Sequence, residues 1–143
     1  MILTFLDKHR DIGLLILRIG FGCLFLFHGL PKLFGGPEKW ERLGGAMATF
    51  GITFLPAFWG FMAAISEALG GICLILGLFM RPACILLTIT MLVAAVSHLG
   101  RGEGLGGAAH ALKAGIVFLS LILIGPGKYS LDEKLTSDHG DDA

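Results

Sequence analysis

Glu67 is the one carboxylate inside a long apolar run, the stretch from Ser66 to Arg81. Every other acid of the chain lies in a tail or in a connecting segment. An unpaired charge buried in hydrocarbon costs at least a few kcal/mol, so an acid at this position requires a basic partner. Such a pair can hold helices together, or it can handle protons beside a bound ligand.

The basic residues that could pair with this acid also lie inside or at the ends of apolar runs: Arg18, His28, Arg81, His98, His110 and Lys113. Two stripes follow the 3.6-residue helical repeat, so the members of each share one helix face. The first stripe is Arg18, Gly22, Phe25, Gly29 and Lys32, and the second is Glu67, Gly71, Leu74, Leu78 and Arg81. We expect the two faces to meet in a charge-compensated seam, in which Arg18 reaches inward to Glu67.

The histidines form a second pattern. His28, His98 and His110 come from three different apolar runs, yet each lies within a few turns of the same membrane face, level with Lys32 and Lys113. One interpretation is a proton-handling polar pocket, because histidine titrates near neutral pH. A second is a haem or metal site using two or three of these imidazoles, although no pair of histidines has i, i+4 spacing.

A third interpretation is a site for a quinone headgroup. Its carbonyl oxygens accept hydrogen bonds from histidine or lysine, and its ring would pack on an aromatic side chain such as Phe25, Phe27 or Phe61. Against all three stands a purely structural interpretation, in which the charges and imidazoles only fix helix order through hydrogen bonds between helices.

The composition places these residues in a membrane protein. Of 143 residues, 55% are hydrophobic and 15% charged, and the mean hydropathy is +0.80. Such a composition is too apolar for a soluble domain. The formal net charge of zero gives no indication of a nucleic-acid partner. Cys23, Cys73 and Cys84 have no CxxC spacing, which argues against a zinc site or a redox dithiol.

We therefore predict an all-α protein with a single domain: a four-helix transmembrane bundle with spans at about 12–33, 54–79, 83–99 and 108–124. Pro82 is expected to end the second span, and residues 100–107 to form a flexible turn. Between the first two spans, residues 35–53 predict either a short interfacial helix with Trp40 near the headgroups or a solvated loop. Four crossings put both termini on one side, and the distribution of lysine and arginine favours the cytoplasm.

Three stretches of this chain resemble the DoxX family of small four-span bacterial membrane proteins: RIGFGCLFLFHGLPKLFG, EALGGICLILGLFMR and LILIGPGKYSLD. The resemblance runs from Arg18 to Asp132. The positions that match the family pattern are Arg18, Gly29, Lys32, Glu67, Gly70, Gly71, Gly77, Arg81, Gly125, Pro126, Gly127, Ser130 and Asp132. His110 departs from it, standing where many relatives have another ionisable residue, often an acid.

The resemblance implies membrane-bound redox work. The family is named for a subunit of a terminal quinol oxidase and is similar to the membrane part of thiosulfate:quinone oxidoreductase, and other members are linked to oxidative-stress defence. It implies a location in the bacterial inner membrane and a quinone ligand. The bilayer, a redox partner protein and a second copy of the chain are the candidate partners.

Two hypotheses follow. In the first, the chain is a quinone-interacting redox component. Its catalytic residues are Glu67, Arg18 and His110, and its ligand-binding residues are His28, Lys32, His98, Lys113 and Phe25. In the second, it is a non-enzymatic membrane scaffold or cargo-binding protein whose charges only hold the bundle. A small carrier is a further alternative.

Overall fold

The structure is a computed structural model that describes residues 4–138. It is entirely helical over this range apart from short connections. A 3₁₀ helix, Thr4–His9, leads into six α-helices: α1 Arg10–Leu33, α2 Pro37–Gly44, α3 Pro56–Leu76, α4 Met80–Gly100, α5 Gly104–Ile124 and α6 Leu131–Asp138. A second 3₁₀ helix, Gly45–Phe50, continues α2.

Helices α1, α3, α4 and α5 are long and apolar enough to cross a membrane. Large apolar side chains cover their outer faces, among them Ile16, Phe27, Leu92, Ile116 and Leu123. Soluble proteins rarely expose apolar surface so extensively, whereas lipid tails solvate it without cost. The predicted four-helix transmembrane bundle is confirmed.

Three helix boundaries differ from the sequence prediction. Helix α3 ends at Leu76, because Gly77 takes a left-handed conformation with φ of 64°, so Leu78 and Arg81 do not continue the stripe that begins at Glu67. Pro82 does not end a helix but lies in the first turn of α4, where its missing N–H would have had no helical partner. Likewise, α5 already begins at Gly104, inside the predicted turn.

The predicted interfacial helix is present as α2. Pro37 occupies its first turn, as expected for a residue whose φ is fixed at a helical value. The indole Nε1 of Trp40 donates to the backbone oxygen of Lys32 at 3.0 Å, and its ring meets that of Phe61 edge-on at 4.9 Å. These contacts tie α2 to the end of α1 and to the start of α3.

The four spans pack in chain order, which leaves a gap between α1 and α5. Helix α1 packs against α3, α3 against α4, and α4 against α5. Helices α1 and α5 meet through aromatic side chains, with the ring of Phe118 4.7 Å from that of Phe25 and 5.8 Å from that of Phe21. Because these rings hold the two helices apart, space remains between them.

Candidate functional site

A cavity of about 530 Å³ occupies this space, in the half of the bundle away from the termini. Its walls come mainly from α1, α4 and α5, and α3 contributes Glu67. The lining residues are Phe21, Leu24, Phe25, His28, Lys32, Glu67, Met91, Ala94, His98, Gly107, His110, Ala111, Lys113 and Ala114.

Seven of the eight residues predicted for the site line this one cavity: Phe25, His28, Lys32, Glu67, His98, His110 and Lys113. They come from four helices, and their shared depth in the bundle brings them together. Arg18 is the exception. Their roles in binding or catalysis stay predictions, but their juxtaposition is a property of the fold.

Glu67 is paired with Lys32 rather than with Arg18. The Nζ of Lys32 lies 2.8 Å from Oε1 and 2.6 Å from Oε2 of Glu67. The Glu67 side chain is 6% exposed and that of Lys32 29%. The predicted partner was therefore wrong, although the prediction that the acid is shielded and neutralised by an adjacent helix is confirmed.

The close approach of α1 and α3 explains this pairing. A Cβ on Gly29 would lie 2.6 Å from the backbone nitrogen of Ala68, so only glycine allows the two backbones to meet at this level. Glu67 thus stands beside Gly29, within one helical turn of Lys32. Arg18 lies eleven residues before Gly29, about 16 Å away along the helix axis. No side chain bridges that distance.

Arg18 instead forms hydrogen bonds at the end of the bundle opposite to the cavity. It is 1% exposed, and its guanidinium donates to the carbonyls of Leu74 at 3.1 Å, Pro126 at 2.7 Å and Tyr129 at 3.0 Å. The Leu74 carbonyl belongs to the last turn of α3, where helical carbonyls lack intrahelical partners. Arg18 therefore caps α3 and anchors the segment after α5, with no contact to the cavity.

The same end is closed by the segment that follows α5. The carboxylate of Asp132 accepts hydrogen bonds from the backbone N–H groups of Phe79 at 2.9 Å and Met80 at 3.0 Å, at the start of α4. The backbone N–H of Asp132 in turn donates to the backbone oxygen of Gly77 at 3.0 Å. The motif GPGKYSLD, together with Arg18, thus locks the connection between α3 and α4.

His28 and His110 face each other across the gap between α1 and α5, with ring centroids 6.2 Å apart. The Nδ1 of His28 lies 2.8 Å from the Leu24 carbonyl. Since a carbonyl can only accept, this nitrogen carries a proton, and Nε2 of the neutral ring is left as an acceptor. The pair presents imidazole edges from two helices to one ligand-sized space.

His98 connects the cavity to the turn between α4 and α5. Its Nδ1 lies 2.6 Å from Oε2 of Glu103, whose Oε1 accepts from Nε of Arg101 at 2.6 Å. The hydrogen bond from His98, followed by that from Arg101, lowers the pKa of the exposed Glu103 carboxyl below its ordinary value of 4.5. Glu103 was not among the predicted site residues, although its position five residues after His98, across a turn rich in glycine, is consistent with this contact.

The three histidines do not form one cluster, and a haem or metal held by two of them stays a prediction. Within residues 4–138, no three His, Cys, Asp or Glu side chains lie close enough together to hold a metal ion. His98 is turned toward Glu103, while His28 and His110 approach each other. The cavity therefore offers separate imidazoles, a lysine and an ion pair as hydrogen-bonding groups.

The chain is similar to known membrane proteins over most of its length. Its sequence is 28% identical over 127 residues to "Putative oxidoreductase CatD" of Bacillus subtilis, covering 89% of this chain and 90% of that protein. It is 31% identical over 141 residues to the membrane protein Rv3486 of Mycobacterium tuberculosis, covering 87% of this chain and 82% of that protein. To the inner membrane protein YqjF of Escherichia coli it is 28% identical over 135 residues, covering 91% and 97%. No solved structure matches the chain.

The family model that matches describes DoxX and covers residues 13–100. This range includes α1, α2, α3 and α4, hence the Lys32–Glu67 pair, His28 and His98. It leaves out α5, which carries His110 and Lys113. On the strength of this match and of the relatives, the chain belongs to the DoxX family of membrane proteins.

Proposed function

We propose that this protein is a quinone-binding component of a membrane redox system, in which it works with a partner oxidoreductase. The observation that carries the proposal is the cavity itself: eight ionisable or aromatic residues from four helices line a single space inside an apolar bundle. Ionisable residues within membrane spans are costly, and they commonly mark ligand or proton pathways.

The size and lining of the cavity suit a ligand with a flat, conjugated ring. Its volume of about 530 Å³ is within the range of roughly 300 to 1,000 Å³ typical of small-molecule pockets. Phe21, Phe25 and Met91 supply apolar walls for a ring. The gap between α1 and α5 faces the lipid, so a quinone with an isoprenoid tail would enter sideways and leave its tail in the bilayer.

The polar groups match the two carbonyl oxygens of such a ring. Lys113 and a protonated nitrogen of His110 would donate hydrogen bonds from α5, and His28 faces them from α1. The Lys32–Glu67 pair forms the inner wall, where it adds no net charge. Specific orientation in pockets of this kind comes from few polar groups in an otherwise apolar lining.

Reduction of a quinone to a quinol takes up two electrons and two protons. In this proposal the partner oxidoreductase supplies the two electrons. The hydrogen-bonded pair of His98 and Glu103 joins the cavity to the exposed turn, and it would admit the protons. Histidine suits this task because it exchanges protons near neutral pH.

The relatives support a redox role and a bacterial inner-membrane location. One relative bears the name of an oxidoreductase, and another that of an inner membrane protein. The start of α1 and the end of α5 lie at the same end of the bundle, where the backbone N–H of Lys128 approaches Asp11 at 3.4 Å. With both termini in the cytoplasm, the cavity would lie in the outer half of the membrane.

Quinone binding by the purified protein tests the proposal. The full chain, reconstituted in lipid nanodiscs, would be titrated with decylubiquinone and with a short-tailed menaquinone. His110→Leu should weaken binding by about tenfold, the effect of one lost hydrogen bond of roughly 1.4 kcal/mol. His9→Leu, outside the bundle on the 3₁₀ helix Thr4–His9, is the matched control. Failure of the wild-type protein to bind either quinone would refute the proposal.

The scaffold alternative is favoured by one observation. Arg18 and Glu67 are both satisfied by partners within the chain, as charges that serve only architecture would be. It predicts that His28→Ala and His110→Ala leave the function untouched while Glu67→Ala prevents stable assembly. Unimpaired complementation of a deletion strain by the two histidine variants would favour this alternative.

A further inference from the structure

The charges that line the cavity do not balance. Lys32 and Lys113 are its two lysines, and Glu67 is its one acid. Both carboxylate oxygens of Glu67 are engaged by Lys32, at 2.8 and 2.6 Å. Within the described residues, Lys113 makes no hydrogen bond and no salt bridge. Its ammonium is therefore a cation without a counter-ion.

Lys113 lies deep within α5, where a charge without a partner is unusual. It is the tenth of the 21 residues of α5, which places it about 14 Å along the helix from its start, near the middle of the bilayer. Lysines near helix ends avoid the hydrocarbon by extending toward the interface, but from this depth the four-carbon chain falls short of either interface. Charged groups at such depth normally face a bundle interior or a cavity and are paired there.

The residues around Lys113 point into the same cavity. Gly107, His110, Ala111 and Ala114 of the same helix also line the space, and His110, three residues before Lys113, lies beside it on the helix surface. Across the gap, His28 holds its Nδ1 proton on the Leu24 carbonyl and presents the other edge of its ring. The remaining ionisable group, His98, is held by Glu103. Within the lining, an oxygen atom bearing negative charge would thus find the ammonium of Lys113 and an N–H of His110 as donors, and no unpaired carboxylate.

We infer that the cavity selects a ligand with an ionised acidic oxygen, which pairs with Lys113 beside His110. This inference rests on the proposed function and narrows its substrate class, from quinones in general to quinones whose ring carries an acidic hydroxyl. The ionised oxygen replaces the counter-ion that the chain itself does not supply. Hydrogen bonds to a charged acceptor are roughly twice as strong as neutral ones, so the ionised ligand is favoured over a neutral one of the same shape.

The test compares two ligands that differ in this charge. A 3-alkyl-2-hydroxy-1,4-naphthoquinone is ionised at neutral pH, and its 2-methoxy ether is neutral with nearly the same shape. Binding of each to the full chain in nanodiscs of zwitterionic lipid would be measured by calorimetry at pH 7. The wild-type protein should bind the ionised compound about tenfold more tightly. Lys113→Gln should abolish this preference, and Lys113→Arg, which keeps the charge, should retain it.

Lys134→Gln on α6 provides the control for loss of a positive charge and should leave the preference unchanged. Equal binding of the two compounds by the wild-type protein would overturn the inference while leaving the proposed function intact. So would a preference that survives in Lys113→Gln. If neither compound binds, both the inference and the proposed function fail.

Discussion

The Nζ of Lys32 lies within hydrogen-bonding distance of both carboxylate oxygens of Glu67, at 2.8 and 2.6 Å, and so joins the end of α1 to the middle of α3. This contact lies at the inner wall of the cavity. It neutralises the most deeply placed acid of the bundle, and the charges that remain for a ligand are those on α5 and the imidazoles.

Breaking the pair from either side should destabilise the bundle. Lys32→Met leaves a carboxylate at 6% exposure without a partner. We expect a loss of about 2 kcal/mol in the free energy of unfolding, less than for a fully buried pair because Lys32 is partly solvated. Unfolding in mixed micelles measures it. The double variant Lys32→Met/Glu67→Leu should recover most of the loss, and additive losses would contradict a direct pair.

Removing Arg18 should affect stability rather than ligand binding. Its guanidinium serves carbonyls of α3 and of the segment after α5, so Arg18→Met should cost about 3 kcal/mol of unfolding free energy. Arg18→Lys should restore little, since one ammonium cannot reach both segments in the same geometry. Arg10→Met, at the exposed start of α1, is the control. An Arg18→Met protein of normal stability that has lost quinone binding would place Arg18 in the site after all.

The glycine contact between α1 and α3 can be tested within one helix. Gly29→Ala puts a methyl group 2.6 Å from the backbone nitrogen of Ala68, which forces the helices apart and should cost about 1 to 3 kcal/mol. Gly20→Ala, also on α1, meets nothing within 4 Å and should be neutral. Thermal unfolding of both variants gives the comparison, and similar melting temperatures would show that the close approach is not required.

The contact between Glu103 and His98 should make stability depend on pH. The pKa of Glu103 is lowered in the folded protein, first by the hydrogen bond with His98. Its stabilising contribution is therefore complete above the ordinary value of 4.5 and is lost as the pH falls through the lower, folded value. Glu103→Gln should melt below wild type at pH 7, with a difference that shrinks at acid pH below 4.5. Glu41→Gln, an exposed acid on α2, is the control; a Glu103→Gln difference independent of pH would contradict the contact.

The sequence predicted the cavity better than the partners within it. Helical rise alone places His28, His98 and His110 at one depth, so their proximity follows from three apolar runs of known direction. The partner of Glu67 was predicted wrongly, because the residue that faces Glu67 depends on the axial position of α1 relative to α3. The contact of Gly29 with Ala68 sets this position. Arg18 was misassigned because its acceptors are backbone carbonyls at a helix end and after α5, which carry no signal in residue type.

The helix boundaries around Pro82 also depend on a contact between distant parts of the chain. Pro82 was predicted to end a helix, yet it lies in the first turn of α4. Gly77 ends α3 before it, and the carboxylate of Asp132, from a distant part of the sequence, caps the start of α4. Local propensity indicates that a break occurs between residues 76 and 82. Only the tertiary contact from the segment after α5 decides on which side of the break the proline falls.

The most direct measurement is the site of photolabelling by a quinone. An azidoquinone with a short isoprenoid tail would be bound to the full chain in nanodiscs, irradiated, and its attachment mapped by mass spectrometry. The account predicts labels on α1 near His28 and on α5 between Gly107 and Ala114, both suppressed by excess unlabelled quinone. Labels confined to the outer, lipid-facing side chains, or labels that excess quinone does not displace, would contradict it.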